Sequence, residues 1–224
     1  MLRDKLKDEA NAWFVGEPFK VFYDYKKEGI WQLGEEAAAA ANGQEPGDIK
    51  VQDVDGNGVI TTDDRIIYSQ RPDVTFGFNN TFNYKGFDLS VFLYARLGQW
   101  IAYDYNTTYR INALENGGNV DYWTPENPTN AFPRPNKSKS YTQVTYYSTL
   151  KYEDGSFFKI RDITLGYTFK PELLKHLNLS RLRVYATAKN FFTFSKIDNY
   201  DPEQGGSISF PMTKQLVFGL NVEF

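Results

Sequence analysis

The chain has 224 residues, with 25 Lys and Arg against 28 Asp and Glu, so its formal charge of −3 offers no basic footprint for nucleic acid. It contains no cysteine, which removes disulfides, thiol nucleophiles and thiolate metal sites, and no run approaches the ~18 apolar residues of a transmembrane helix. A mean hydropathy of −0.53 leaves a membrane barrel open, because strands that alternate apolar and polar side chains cancel in any average; aromatics reach 17%, high for a soluble domain.

The first ten residues, Met1 to Ala10, are charged throughout and lack the apolar segment of a signal peptide. Residues 1–12 read as a short charged helix or a cut end. Phe19, Val21, Tyr23 and Tyr25 then share one parity, which predicts a strand over about 18–27. A long connection follows, with an Ala-rich helix at Glu35–Ala41 stopped by Asn42-Gly43.

Within that connection, Asp53 to Asp64 fits the twelve-residue calcium loop. Hard oxygen ligands are expected from Asp53, Asp55, Asn57, the Val59 carbonyl, Thr61 (through water) and Asp64, with Gly58 at the sharp turn and Ile60 as an apolar anchor. Asp64 stands where a longer Glu is usual, which shortens the reach to the ion. The competing reading is an Asx/Gly turn that holds no ion. If Ca2+ binds, its role is to stiffen a loop.

Val74–Tyr84 alternates Val74, Phe76, Phe78, Phe82 and Tyr84 against Thr75, Gly77, Asn79, Thr81 and Asn83, with Asn80 the polar intruder. Lys85-Gly86 turns the chain, and Phe87, Leu89, Val91, Leu93 and Ala95 carry a partner strand back. Residues 98–156 read as a long Tyr-, Asn- and Pro-rich loop. Phe157–Phe169 is a strand whose parity changes near Arg161-Asp162, which predicts a bulge. A short connection over Lys170–Ser180 leads to a strand at Leu182–Asn190. Phe194–Thr213 reads as another loop. The final strand, Gln215–Phe224, sets Leu216, Phe218, Leu220, Val222 and Phe224 on one side, and its length suits the ~9–11 residues of a tilted spanning strand.

The connections run long (28–73), short (85–86), long (98–156), short (170–180) and intermediate (194–213). That alternation is the signature of up-and-down membrane barrels, with short periplasmic turns and long external loops. Aromatics of the outer loops, Trp100, Tyr103, Tyr105 and Trp123 among them, are candidates for stacking on sugar faces, against the simpler expectation of loop packing. His176, the only histidine, sits in a short connection and reads as a solvated turn residue. Enzyme chemistry is not expected: there is no nucleophile elbow and no phosphate-cradling glycine loop.

Several stretches, in order, resemble the carboxyl-terminal part of TonB-dependent outer-membrane transporters of the SusC/RagA branch. They are Gly16-Glu17-Pro18, Tyr23-Asp24-Tyr25, Gly29-Ile30-Trp31 and Pro46-Gly47-Asp48-Ile49, then Trp123-Thr124-Pro125-Glu126-Asn127-Pro128 and Glu153-Asp154-Gly155-Ser156-Phe157. Arg161 to Tyr167, Arg183-Val184-Tyr185, Lys189 to Phe194, Tyr200-Asp201-Pro202-Glu203 and the terminal Phe224 complete the series. The resemblance implies a 22-stranded barrel with an amino-terminal plug, importing glycans or peptides with the TonB system beneath a SusD-like lipoprotein lid. It casts Phe224 as an insertion signal and outer-membrane lipid as the surroundings.

The expectation is therefore an all-β chain: a partial antiparallel up-and-down transmembrane β-barrel, about six to eight strands of the larger barrel, with long extracellular loops. Plug and signal peptide are absent, so the fragment alone is not expected to transport. The alternative is a secreted, calcium-stabilised β-sandwich that binds glycans, in which the same apolar faces would be buried against a second sheet.

Overall fold

The computed structural model describes residues 7–19, 21–112 and 117–224. In chain order its elements are β1 (Lys7–Asp8), β2 (Trp13–Phe14), β3 (Phe22–Tyr25), β4 (Lys27–Ile30), α1 (Glu36–Ala41), β5 (Ile49–Val51) and β6 (Arg65–Tyr68). There follow β7 (Val74–Tyr84), β8 (Phe87–Leu97), β9 (Trp100–Ala102), β10 (Tyr152–Asp154), β11 (Phe157–Thr168), α2 (Pro171–Leu174), β12 (Arg181–Ser195) and β13 (Gln215–Glu223). Among the described residues no helix is long and apolar enough to cross a membrane.

The chain divides into two units. One, made of Met1–Arg71, Trp100–Asp154 and Gly205–Ile208, is built from two-stranded pieces: β1 with β2, β3 with β6, β4 with β5 and β9 with β10. Its core gathers Ile30, Ile49, Val51, Tyr109, Ile111, Trp123, Tyr147 and Leu150. The stretch 98–156, predicted as a structureless loop, is thus folded around its own aromatic residues, and β9 and β10 close its two ends in register.

The other unit holds Pro72–Gln99, Gly155–Gln204 and Ser209–Phe224, and it is one five-stranded antiparallel sheet in the order β13-β12-β11-β8-β7. Within the sheet, successive strands are neighbours, the up-and-down order the loop lengths predict. β7 and β8 pair from Val74↔Leu97 to Tyr84↔Phe87 around Lys85 and Gly86, both at positive φ (48° and 91°), the geometry that suits the right-handed twist of a two-residue hairpin. The register of β11 slips between Ile160 and Asp162 against both neighbours, at the predicted bulge. On β12 the same irregularity takes up Asn190 and Phe191, with Asn190 at φ 58°.

Four expectations differ from the structure. Residues 1–6 lie outside the described residues, and Lys7–Asp8 pairs with Trp13–Phe14 as a small hairpin rather than continuing a charged helix. The predicted strand at 18–27, of which Lys20 is undescribed, has its regular part at Phe22–Tyr25 and pairs with Arg65–Tyr68 in the first unit. Among the described residues the sheet therefore has five strands, fewer than the six to eight expected, and it is open, as part of a larger barrel would be. Finally, β12 runs on through Phe194 to Ser195: Phe192 and Phe194 stay on the even parity of Leu182 and pair with Ile160 and Phe158 beyond the bulge.

Candidate functional site

Two features of the molecule carry chemistry. The first is the contrast between the faces of the sheet. Register places Phe76, Phe78 and Phe82 of β7 with Leu89, Leu93 and Ala95 of β8, then Phe158, Ile160, Ile163 and Leu165 of β11, on one side. Phe192, Phe194, Ala186 and Val184 of β12 and Leu216, Phe218 and Leu220 of β13 continue that side to the edge. Buried apolar surface drives soluble folding, yet here Phe218 is 74% exposed, Leu220 67% and Phe82 61%. The terminal Phe224, just past β13, is 94% exposed.

The opposite side is polar and cross-linked. Arg183 of β12 reaches across β11 to fork Asp88 of β8, at 2.9 Å from Nε and 2.5 Å from Nη2. The space for that fork is Gly166, where a β-carbon would stand 2.4 Å from Arg183 Nη2 and 2.5 Å from Asp88 Oδ1. Thr164 and Thr187, register partners, share a hydroxyl hydrogen bond of 2.8 Å. The guanidinium of Arg183 lies 4.9 Å from the centre of the Tyr185 ring. A glycine in a strand interior costs entropy and packs nothing, so it marks a close approach; Gly166 and Gly219 were the sequence's only hint of these contacts.

The second feature is the acidic turn. Asp53, Asp55 and Asp64 each offer a carboxylate oxygen within 4.8 Å of the others. Asp53 Oδ2 accepts the Gly58 amide at 2.7 Å and Oδ1 the Gly56 amide at 2.8 Å, while Gly56 and Gly58 take positive φ (73° and 84°) that a side chain would resist. Asp55 Oδ1 accepts the Asn57 amide and Asn57 Oδ1 the Val59 amide, at 3.0 and 2.7 Å. Asp64 is fully buried; its oxygens accept the Val54 and Thr61 amides at 2.8 and 2.7 Å. Those backbone donors, Thr61 first, hold its carboxyl below the usual range.

Three of the six predicted ligands thus converge. Each carboxylate oxygen keeps a lone pair after its amide bond, so the donor set suits a hard cation with oxygen preference. Thr61 is otherwise engaged: its hydroxyl accepts the Asp63 amide and caps the short 3-10 turn Thr62–Asp64. Val59 turns its side chain outward, at an exposed position.

The loop aromatics divide. Trp123 is buried in the core of the first unit and donates its indole N–H to Gln32 at 2.9 Å. Tyr103 is buried as well, and Trp100 packs edge-on against Tyr68 with centroids 4.8 Å apart. Trp123 and Tyr103 are thus packed inside the unit, whereas Trp100 is half-buried and Tyr105 is half-buried beside Tyr103, centroids 5.9 Å apart. His176 is exposed, in the turn after α2. A cluster that the sequence reading left without a role is Lys159 with Asp201 and Glu203, at 2.6 and 2.8 Å.

No protein-family model matches the chain. It is 31% identical to TonB-dependent receptor P3 of Formosa agariphila over 93% of its own length and 22% of the relative's. It is 31% identical to TonB-dependent receptor SusC of Bacteroides thetaiotaomicron, over 77% of this chain and 17% of that one. Among solved structures it is similar to the RagAB peptide transporter, with a TM-score of 0.66 and 24% identity over 95% of this chain and 24% of that one. The chain thus spans about a quarter or less of the length of these relatives. The relatives are receptors and transporters, not enzymes. Over the residues it spans, the chain is homologous to TonB-dependent receptors, SusC among them.

Proposed function

We propose that the five-stranded sheet is a wall segment of an outer-membrane barrel that imports nutrient oligomers, glycans or peptides, with its apolar face against lipid. The observation that carries this reading is the apolar face that runs from Phe76 on β7 to Leu220 on β13, interrupted at Asn80 and exposed at Phe82, Phe218 and Leu220, backed by a polar face of ion pairs and hydroxyls. The ends of the sheet that lead into 98–156 and 196–214 would face outward, and the turns at 85–86 and 169–180, with Phe224, the periplasm. TonB energy and a SusD-like lipoprotein lid would act through the whole receptor; the related RagAB is itself named a peptide transporter. The sandwich alternative needs Phe218 and Leu220 buried beneath a second sheet, and their exposure speaks against it.

The chain has no cysteine, so single cysteines can be placed at will in the intact receptor. In outer-membrane preparations, cysteine at Phe218 or Leu220 should resist a water-soluble maleimide and at Asn221 should react. Equal reaction at all three would overturn the lipid-facing assignment. Growth of cells lacking the receptor on glycan or on peptide as sole carbon source separates the two cargo classes.

The acidic turn, in this reading, binds Ca2+ through Asp53, Asp55 and Asp64 and stiffens the unit that carries it. Support comes from the convergence of three carboxylates on a turn already shaped by Gly56 and Gly58. Removal of the ion would loosen residues 53–64 without touching the sheet.

A further inference from the structure

Lys159 of β11 lies on the polar side of the sheet and is completely buried. Its ammonium donates to Asp201 at 2.6 Å and to Glu203 at 2.8 Å, both in the connection between β12 and β13. Those carboxylates keep only 11% and 9% of their side-chain surface. Thr193 of β12 adds a hydroxyl donor to Asp201 at 3.3 Å, and Arg161 adds a guanidinium to Glu203 at 3.1 Å. Between the two acids Pro202 is fully buried, and Asp201 Oδ1 accepts the Glu203 amide at 3.0 Å, which bends the segment onto the strand.

A buried ammonium is costly unless paired and hydrogen-bonded, and here two carboxylates and two cations balance. Such a cluster is weak evidence for net stability, since an apolar substitute often does as well; what it supplies is one geometry. An apolar contact would let the connection slide, whereas two acids closing on one ammonium hold it at a single register. Asp201 and Thr193 also line a cavity of about 600 Å3, shared with Asn190, Tyr200 and Lys214, so the same contact fixes one of its walls.

We propose that Lys159 is the anchor of a strap: residues 196–204 are clamped onto the polar face of β11 through Asp201 and Glu203, and form a static wall rather than a moving gate. The clamp is internal to the sheet unit and does not depend on what the receptor carries.

The test is hydrogen exchange, read peptide by peptide, on the intact receptor in detergent. Lys159→Met takes the ammonium from both acids, leaving Asp201 without a cation and Glu203 with Arg161 alone, and exchange over 196–204 should rise about tenfold or more, while the β7–β8 hairpin stays protected. Lys159→Met combined with Asp201→Asn and Glu203→Gln, which leaves no buried charge in the cluster and only the partly exposed Arg161 without its acid, should recover part of the protection. Should Lys159→Met fail to assemble, Asp201→Asn alone, which keeps the shape, should still loosen the segment. Unchanged exchange in Lys159→Met, or in Asp201→Asn where that is the variant that assembles, would show that packing at Pro202 holds the connection, and the strap would fall.

Discussion

Tyr185 lies across Gly219, its register partner on the edge strand, so closely that a β-carbon at 219 would stand 2.2 Å from the ring. The ring fills the space a side chain would take, and the Arg183 guanidinium rests against it. The nearest atoms are at the far end of a side chain that can turn, so substitution displaces rather than shatters. Gly219→Ala should cost about 1–2 kcal/mol in urea unfolding of the intact receptor and almost nothing in a Tyr185→Ala background. Additive effects would mean that ring and glycine are not coupled.

Arg183 and Asp88 pair across the polar face, spanning the middle strand over Gly166. Gly166→Val should push the fork apart, and Arg183→Gln should leave Asp88 without its partner. Each should destabilise by about 1–3 kcal/mol, with less than additive loss when combined, because both break the same contact.

On β13 two adjacent residues face opposite ways: Leu220 pairs with Val184 on the apolar side and Asn221 with Arg183 on the polar side. Leu220→Arg should cost roughly 2–4 kcal/mol and lower the yield of assembled receptor, while Asn221→Arg should cost under about 1 kcal/mol. Folded and unfolded forms separated by unheated gel electrophoresis give the readout. A reversed order would place the lipid on the wrong side.

Calcium is tested with terbium luminescence, excited through the protein's aromatics, and competition by Ca2+. The expected Kd is on the order of 10⁻⁴–10⁻³ M, since a lone loop without a paired partner sits at the weak end. Asp53→Asn and Asp55→Asn should each weaken it on the order of tenfold. A terbium signal indifferent to both changes would remove the ion from the account.

Without calcium, the same turn should answer to acid. The folded Asp64 carboxyl sits below its ordinary value, held there by the Thr61 amide and then by those of Val54 and Asp55. A depressed carboxylate stabilises above its unfolded pKa, about 3.9, and that contribution disappears as pH falls through the lower folded value. Exchange over residues 53–64 should therefore stay slow at pH 5 and quicken only below about pH 4, and Asp64→Asn should abolish the dependence.

The sheet was legible because alternation is a local code: each of Phe76, Phe78, Leu89, Leu93, Leu165 and Phe218 announces its side through its immediate neighbours. Even the parity change at Arg161 could be read before any partner strand was known. The first unit was not legible. Trp123, Tyr109 and Tyr147 meet in its core without any period in the sequence, so Trp123 reads as a loop aromatic and a candidate for stacking on a sugar. Phe19, Val21, Tyr23 and Tyr25 alternate as a spanning strand would, but the regular part stops at Tyr25, and Lys27 begins a second short pairing with Val51. Lys159 and Asp201, 42 residues apart, carry no local mark of their pairing.

The extra residue at Arg161 has a cost for tolerance that follows from its position. Ile160 and Ile163 share a side only because one residue too many stands between them. Deleting it would rotate that end of the strand by half a turn, sending Phe158 and Ile160 to the polar side of the sheet and the Lys159 ammonium to the apolar side. Viable length variants in this part of the molecule must then leave that position alone or add and remove residues two at a time.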